Sequence, residues 1–337
     1  MKILIISDAW LPQINGVVRT LATTKQHLEK LGHQVAVISP DLFSTIPCPS
    51  YPEIRLVIQP ARFKVIEMIQ SFRPDCIHIA TEGPLGWAGR NVCHTLKLSF
   101  TTSFHTKFPE YVYARLGIPP NWGYRFLRWF HRLSKRVMVA TPSMRSSLEK
   151  QGFEHLAAWS RGVDVELFHP RPKDFLSDPR PISMYVGRVA VEKNIEAFLK
   201  AELPGTKYVV GGGPQLEYLR AHYPHVKFVG AKAGEELASY YAAADVFVFP
   251  SRTDTFGLVM LEALASGVPV AAYPVSGPVD ILRETQVGCL DENLTQATLN
   301  ALKLDAQQCR PHALRYSWQT CTQQFLGNLH INYRNFK

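Results

Sequence analysis

The sequence predicts two α/β domains, each a doubly wound parallel sheet with helices on both faces, and three observations predict this. Short β-rich apolar runs alternate with helical patterns almost from end to end. The runs are continuously apolar, as strands buried on both faces must be. The alternation is interrupted once, from His169-Pro170-Arg171-Pro172 to Asp178-Pro179-Arg180-Pro181, a stretch rich in proline and charge that reads as a linker.

In the first domain, strands are expected at 2–7, 34–39, 54–58, 75–80, 100–103, 136–141 and 156–160. Helices fit between most of them. Val18, Leu21, Leu28 and Leu31 give one core-facing stripe, and Gly32 ends that helix. After the linker, strands are expected near 182–186, 207–211, 226–229, 245–249 and 268–272. The expected division is residues 1–170, residues 171–310, and a helical segment 311–337 that crosses back to the first domain. The linker then places a cleft between the two domains.

The chain has 337 residues, 46% of them apolar, which suits large cores and excludes a disordered chain. No apolar run reaches the ~18–20 residues of a membrane span. The apolar start, Ile3 to Ile6, is too short for a signal peptide and reads as a buried strand. Cys48, Cys76, Cys93, Cys289, Cys309 and Cys321 are scattered, as expected of reduced thiols in a cytoplasmic protein. The net charge of +9 is concentrated: ten Lys or Arg against two acids lie between Lys97 and Lys150. That points to an anionic partner surface.

Ligands of open α/β sheets bind outside the carboxyl ends of the strands, so the candidate residues are sought there. After strand 182–186 comes Gly187-Arg188, with Lys193 five residues beyond Arg188. Two cations beside a helix start make an anion site, most naturally for a diphosphate; two solvated surface cations are the alternative. After strand 207–211 comes Gly211-Gly212-Gly213-Pro214, where backbone can approach a ligand closely. After strand 245–249, Asp254 is followed eight residues later by Glu262. The N–H groups of Phe256, Gly257 and Leu258 open the intervening helix and can bind oxygens of a sugar or phosphate. Glu262 lies among Met260, Leu261, Ala263 and Leu264, where a carboxylate needs a partner. In the first domain, Gly16 stands at a helix start, near Arg19, and His105 at a strand end.

These segments together resemble a known family. Pro12-Gln13-Ile14-Asn15-Gly16-Val17-Val18-Arg19-Thr20, Phe104-His105-Thr106-Lys107-Phe108-Pro109-Glu110-Tyr111, Trp159 to Pro170, Gly187-Arg188 with Lys193, Gly211-Gly212-Gly213-Pro214, and Thr253 to Ala263 occur in order. They resemble the retaining glycosyltransferases of family four, of the GT-B fold: two Rossmann-like domains facing across a cleft. Within that family the chain is most similar to GDP-mannose-dependent α-mannosyltransferases and sulfoquinovosyl diacylglycerol synthases. The resemblance implies that Arg188 and Lys193 hold the donor diphosphate, Glu262 the ribose, and Asp254 with the N–H groups of Phe256, Gly257 and Leu258 the sugar hydroxyls. It implies that Gly16 meets the phosphates or leaves room for the acceptor, and that His105 contacts the donor sugar at its 6-position. It also implies retained anomeric configuration, with the leaving phosphate helping to deprotonate the acceptor, and closure of the domains over the donor. The donor would be GDP-mannose or, second, a UDP-sugar; the acceptor, a lipid or glycoconjugate hydroxyl. Two departures bear on specificity: Asp254 stands where the family usually has Glu, and the segment from Pro40 to Arg73 is short.

No Asp-x-Asp triplet occurs in the chain, and the charge of Arg188 and Lys193 can take the place of a cation on the diphosphate, so no metal is expected. Asn121 to Val137 reads as one helix. Its apolar stripe is Trp122, Phe126, Trp129, Phe130, Leu133 and Val137; Arg125, Arg128, Arg132, Lys135 and Arg136 lie opposite. The stripe is expected to pack on the sheet while the cations meet solvent or the cytoplasmic face of an anionic membrane. Nucleic acid is not expected, because no base-stacking platform is evident. A nucleotide-sugar epimerase or dehydrogenase would need glycines after the first strand, where Asp8-Ala9-Trp10 stands. A glycosidase would need no nucleotide site. The remaining alternative is a non-catalytic protein of the same shape that binds sugar nucleotides or membranes.

Overall fold

The computed structural model describes every residue except 14, 49–50, 59–60, 106, 111–112, 114–116, 118, 255, 284 and 333–337. The motif residues Ile14, Thr106, Tyr111 and Thr255 therefore lie outside the described residues. Along the chain, the elements of the first part are β1 (Lys2–Ile6), α1 (Gly16–Lys30), β2 (Gln34–Ile38), β3 (Thr45–Cys48), β4 (Tyr51–Val57), α2 (Arg62–Phe72), β5 (Cys76–Ile79), α3 (Pro84–Thr95), β6 (Thr101–Phe104), α4 (Pro120–His131), β7 (Val137–Val139), α5 (Pro142–Lys150) and β8 (Leu156–Ala158). Then follow β9 (Ile182–Val186), α6 (Ile195–Lys200), β10 (Thr206–Val210), α7 (Leu216–His222), β11 (Lys227–Gly230), α8 (Gly234–Ala243), β12 (Val246–Phe249), α9 (Leu258–Ala265), β13 (Val270–Ala272), α10 (Pro278–Leu282), β14 (Gly288–Leu290), α11 (Leu294–Ala301), α12 (Cys309–Ala313) and α13 (Trp318–Asn328).

The chain forms two compact units, Met1–Ser160 with Trp318–Lys337, and Arg161–Ser317. The first holds a six-stranded sheet in the order β2-β1-β5-β6-β7-β8, parallel throughout. Side chains of β1 alternate between its faces. Ile3 and Ile5 pack with Leu21, Leu28, Trp318 and Phe325 on the α1 and α13 side. Leu4 and Ile6 pack with Val65, Ile69, Leu85 and Val92 on the α2 and α3 side. The second unit holds the order β11-β10-β9-β12-β13-β14, the order of a dinucleotide-binding Rossmann sheet.

Four expectations need correction. The strand expected at 54–58 is β4 and pairs antiparallel with β3 as a separate two-stranded sheet. Arg55 is exposed, Leu56 half-buried and Val57 buried, so burial rises toward one end of β4 and the strand is not covered along its length as a doubly covered strand would be. Strand β14 was not anticipated; it is short and only partly buried. Leu31 does not join the core stripe of α1; it caps the helix and is exposed, whereas Thr20 and Thr24 are buried.

The fourth concerns boundaries. The second unit starts at Arg161, not after residue 170, because the stretch before the prolines is already tied into it. The Val163 N–H donates to the Tyr316 carbonyl at 3.0 Å, the Arg310 guanidinium donates to the Phe168 and Val165 carbonyls, and Phe168 packs edge-on against Tyr241. For the same reason the chain leaves this unit at Ser317 rather than at 310; from Trp318 on, α13 packs on the first sheet and Ile331 bridges to Cys76 of β5.

Candidate functional site

In the second unit, strand order reverses between β9 and β12, so the loops that follow them lie side by side at the switch point. The loop after β9 is shaped by glycine. Gly211 and Gly213 have φ of +152° and +157°, and a Cβ on them would stand 1.8 Å from the Gly187 carbonyl oxygen and 2.4 Å from that of Val189. The triple-glycine segment thus presses its backbone onto the loop 187–189, joined by Gly187 N–H to Val210 O and Val189 N–H to Gly212 O. Gly212 has no neighbour nearer than 3.9 Å to such a Cβ. The steric requirement falls on its two neighbours.

Lys193 and Asp254 come together. The Lys193 ammonium is 2.6 Å from Asp254 Oδ1, with about a quarter and a fifth of each side chain exposed. Two further ties hold the same loops: Asn194, in the left-handed region at φ +51°, donates from Nδ2 to the Pro250 carbonyl, and Thr253 Oγ1 donates to the Glu192 carbonyl. Arg188 is half-buried on the same loop and its carbonyl accepts from the Tyr185 hydroxyl at 2.8 Å. Burial, then the nearby carboxylates of Asp254 and Glu192, push the Tyr185 phenol well above its ordinary value, so it stays a donor.

Gly257 starts α9 in the left-handed region, φ +88°, where a Cβ would lie 2.7 Å from Met260 Cε. Phe256 before it is buried and Leu258 is the first helical residue. Glu262, a turn further on, is 2% exposed, and its Oε2 accepts from the Tyr241 hydroxyl at 2.8 Å. The partner that its apolar surroundings demanded is therefore a tyrosine of α8, which pattern alone did not reveal.

In the first unit, order reverses between β1 and β5. The buried Asp8 carboxylate accepts from Leu85 N–H at 2.8 Å, Gly86 N–H at 3.1 Å and Thr81 Oγ1 at 2.9 Å, closing the start of α3 onto β1. Burial raises its affinity for a proton and those bonds oppose the shift. Gly16 is exposed at the start of α1, but Asn15 Oδ1 accepts from both Val17 N–H and Val18 N–H. Two of the N–H groups in the first turn of α1 are thus already satisfied by the cap. His105, one residue past β6, is 9% exposed; its Nε2 is 2.8 Å from Ser103 Oγ and its ring packs edge-on against Trp159.

Residues 14–167 match the family described as Glycosyltransferase Family 4, and residues 180–303 match Glycosyl transferases group 1. An alpha-monoglucosyldiacylglycerol synthase of Streptococcus pneumoniae is 30% identical over 348 residues, covering 90% of this chain and 78% of that protein. The chain belongs to glycosyltransferase family 4. A GDP-mannose-dependent alpha-mannosyltransferase of Mycobacterium tuberculosis is 29% identical over 363 residues, 97% of this chain and 96% of that one. The fold is GT-B: a sucrose-phosphate synthase of Thermosynechococcus elongatus superposes with a TM-score of 0.76 at 21% identity, over 97% of both chains.

The basic helix of this family 4 glycosyltransferase differs from its expected form. It is α4, Pro120–His131, and its buried residues are Tyr124, Leu127, Phe130 and His131. Trp122, Phe126 and Trp129, expected to pack on the sheet, are 71%, 38% and 39% exposed. Phe126 and Trp129 join the exposed Trp87 of α3 in a cluster with ring centroids 5.6–6.0 Å apart. The Arg90 guanidinium lies 3.9 Å over Trp129. Arg125, Arg132, Lys135 and Arg136 are exposed, but Lys135 and Arg136 follow the helix rather than lying on it. Arg136 donates to the Gly327 carbonyl and Arg128 to the Gln151 carbonyl, each at 2.6 Å. The aromatic side chains and the cations Arg125 and Arg132 thus share one exposed face. Among the described residues, no helix is long and apolar enough to cross a membrane.

Proposed function

We propose that this glycosyltransferase moves mannose from GDP-mannose to a hydroxyl of a lipid or glycoconjugate, retaining the anomeric configuration and using no metal. The observation that carries the reading is the Lys193–Asp254 pair at the switch point of the second unit. With a donor bound, the three protons of the Lys193 ammonium serve a phosphate oxygen as well as Asp254, while Asp254 keeps a lone pair for a sugar hydroxyl. Arg188 on the same loop adds the second positive charge. Together they stabilise the diphosphate as it leaves, the work that a divalent cation does elsewhere. Glu262, oriented by Tyr241, receives the ribose hydroxyls. The N–H groups at Phe256, Gly257 and Leu258 hold sugar oxygens, and Gly212 borders the nucleotide. In the first unit, His105 meets the sugar and Gly16 borders the phosphates or the acceptor.

The exposed aromatic and cationic face of α4 supports a peripheral position on the cytoplasmic side of an anionic membrane, with Trp122, Phe126 and Trp129 at headgroup depth. The likeness to a glucosyldiacylglycerol synthase supports a lipid acceptor, and with it the second reading: a UDP-sugar-dependent glycolipid synthase of the sulfoquinovosyl type. Thermal shift in EDTA tests both. A donor at 100 times its Kd stabilises by about 2.7 kcal/mol. Stabilisation by GDP-mannose and GDP supports the first reading, and by UDP-sugars and UDP the second. Stabilisation by neither favours a non-catalytic protein of the same shape.

A further inference from the structure

We infer that Glu82 selects the acceptor: at one end of a groove between α3 and α4 it accepts from the hydroxyls of an uncharged lipid headgroup and turns away a phosphate. The inference rests on the reading of the acceptor as a lipid and names its class.

Glu82 stands three residues past β5, where the strand order of the first sheet reverses. Helix capping does not account for it. Asp8 caps α3: its carboxylate takes the Leu85 and Gly86 N–H groups, and a Cβ on Gly83 would lie 2.5 Å from Asp8 Cγ. Glu82 turns to α4 instead. Its Oε1 is 3.2 Å from Nε2 of His131, the last residue of that helix. The Glu82 side chain is 22% exposed and that of His131 2%. Among the described residues Oε2 has no partner, so its lone pairs are left for a ligand's hydroxyl.

His131 is itself fixed. Its Nδ1 is 2.9 Å from the buried Thr102 hydroxyl of β6, and its ring lies 5.0 Å from Phe130 and 5.9 Å from Phe153. A buried histidine held on both nitrogens sets where the carboxylate points.

The groove supplies the rest. Glu82 closes one end of a volume of about 510 Å³. Trp87 and Ala88, a turn further along α3, and Phe126 of α4 form apolar walls. The Trp87 and Phe126 ring centroids are 5.9 Å apart. Arg90 holds the walls together, its guanidinium donating from α3 to the Trp129 and Phe130 carbonyls at the end of α4. Among the described residues, no Lys or Arg lines the groove. A phosphate there would face a carboxylate without a cation to offset it, whereas a hydroxyl finds an acceptor and an acyl chain finds aromatic walls. The nearby cations Arg125 and Arg132 are exposed outside the groove, where an anionic membrane surface would meet them. This division of charge fits a neutral occupant drawn from an anionic surface.

The test is photo-crosslinking of the full-length protein. Two probes carry the same diazirine-tagged acyl chains, one a diacylglycerol and one a phosphatidylinositol. Both have hydroxyls and only the second has a phosphate. Each is placed in vesicles of phosphatidylcholine and phosphatidylglycerol, adducts are located by mass spectrometry, and cosedimentation reads vesicle binding beside them. The diacylglycerol is expected to label Trp87, Ala88 and Phe126 at least roughly tenfold more than the phosphatidylinositol does, the scale of setting like charges together. Glu82→Ala should lower that labelling roughly tenfold, the scale of losing a hydrogen bond to a charged group, with vesicle binding unchanged. Glu82→Gln, which removes the charge and keeps an acceptor, should admit the phosphatidylinositol. His131→Phe should act as Glu82→Ala does. Equal labelling by the two probes in the wild type, or unchanged labelling in a folded Glu82→Ala, overturns the inference. Labelling as expected, with no sugar passed to diacylglycerol from GDP-mannose or UDP-glucose, places the failure in the reading of the lipid as the acceptor.

Discussion

The Lys193 ammonium and the Asp254 carboxylate, 2.6 Å apart, join the loops after β9 and β12 where the strand order of the second unit reverses. Each holds the other in place before a donor arrives, so neither must be ordered when it binds. Lys193→Ala and Asp254→Asn are each expected to lower kcat/KM by roughly 10²–10³, the scale of losing one electrostatic contact to the transition state. Because the two act as a unit, the double variant should lose much less than the product of the single losses. Steady-state kinetics of the four proteins checks this, and multiplicative losses would show that the pair is not coupled.

Glycine matters at Gly211 and Gly213 rather than between them. Gly211→Ala forces a methyl to 1.8 Å from the Gly187 carbonyl oxygen at φ +152°, so the loop that carries Arg188 must move. A loss of more than ~3 kcal/mol, or insoluble protein, is expected. Gly212→Ala meets nothing nearer than 3.9 Å and should stay within about 0.5 kcal/mol of wild type. Urea unfolding of the two variants separates them.

Tyr241→Phe keeps the ring but leaves the buried Glu262 without that hydroxyl. Destabilisation of about 1–3 kcal/mol is expected from the lost partner, together with weaker nucleotide binding. Calorimetric titration with GDP measures the second effect. Unchanged affinity would show that Glu262 needs no orientation by Tyr241.

Asp245 gives a pH signature. Burial pushes its carboxyl up, but hydrogen bonds from Arg180, Lys173 and the Ile182 N–H outweigh it, and it lies below the ordinary value of 3.8. A depressed carboxyl binds fewer protons in the folded state, so its contribution is complete above pH 3.8 and declines as pH falls through the folded value. Asp245→Asn should therefore be less stable than wild type at pH 6, and the gap should narrow below pH ~4. Denaturant unfolding of both proteins at matched pH values checks the narrowing.

On the α4 face, Arg125→Ala and Arg132→Ala should each weaken binding to anionic vesicles by about 1 kcal/mol, or roughly fivefold, at low salt. Arg128→Ala removes a bond to the Gln151 carbonyl and should alter stability more than vesicle binding. Cosedimentation with vesicles containing phosphatidylglycerol tests the ranking. Equal binding by all three variants would argue against the membrane reading.

Much of the fold was legible because strands buried on both faces leave continuous apolar runs: β1, β5, β9 and β12 lie within a residue or two of where their composition puts them. The ribbon of β3 and β4 was not, since a half-exposed antiparallel strand of the length of Ile54 to Ile58 reads like a buried one. The loops carrying Lys193 and Asp254 were legible as strand ends, but their meeting was not. It depends on β9 lying beside β12, and on Asn194 adopting a left-handed conformation that nothing in its neighbours demands. Helical periodicity on α4 placed Trp122, Phe126 and Trp129 on the covered face and missed Tyr124 and Leu127, which are the residues buried there. The angle between Trp122 and Tyr124 on the helix is fixed by sequence, but which of them meets the sheet depends on tertiary packing.

The central claim is that the second unit binds a nucleotide sugar through Arg188, Lys193, Asp254 and Glu262. Isothermal titration of the full-length protein with GDP-mannose in EDTA, repeated with Glu262→Gln, tests it most directly. Saturable binding that weakens at least tenfold in the variant is the predicted result. No heat from GDP-mannose or from any UDP-sugar, or equal binding by wild type and variant, would contradict it.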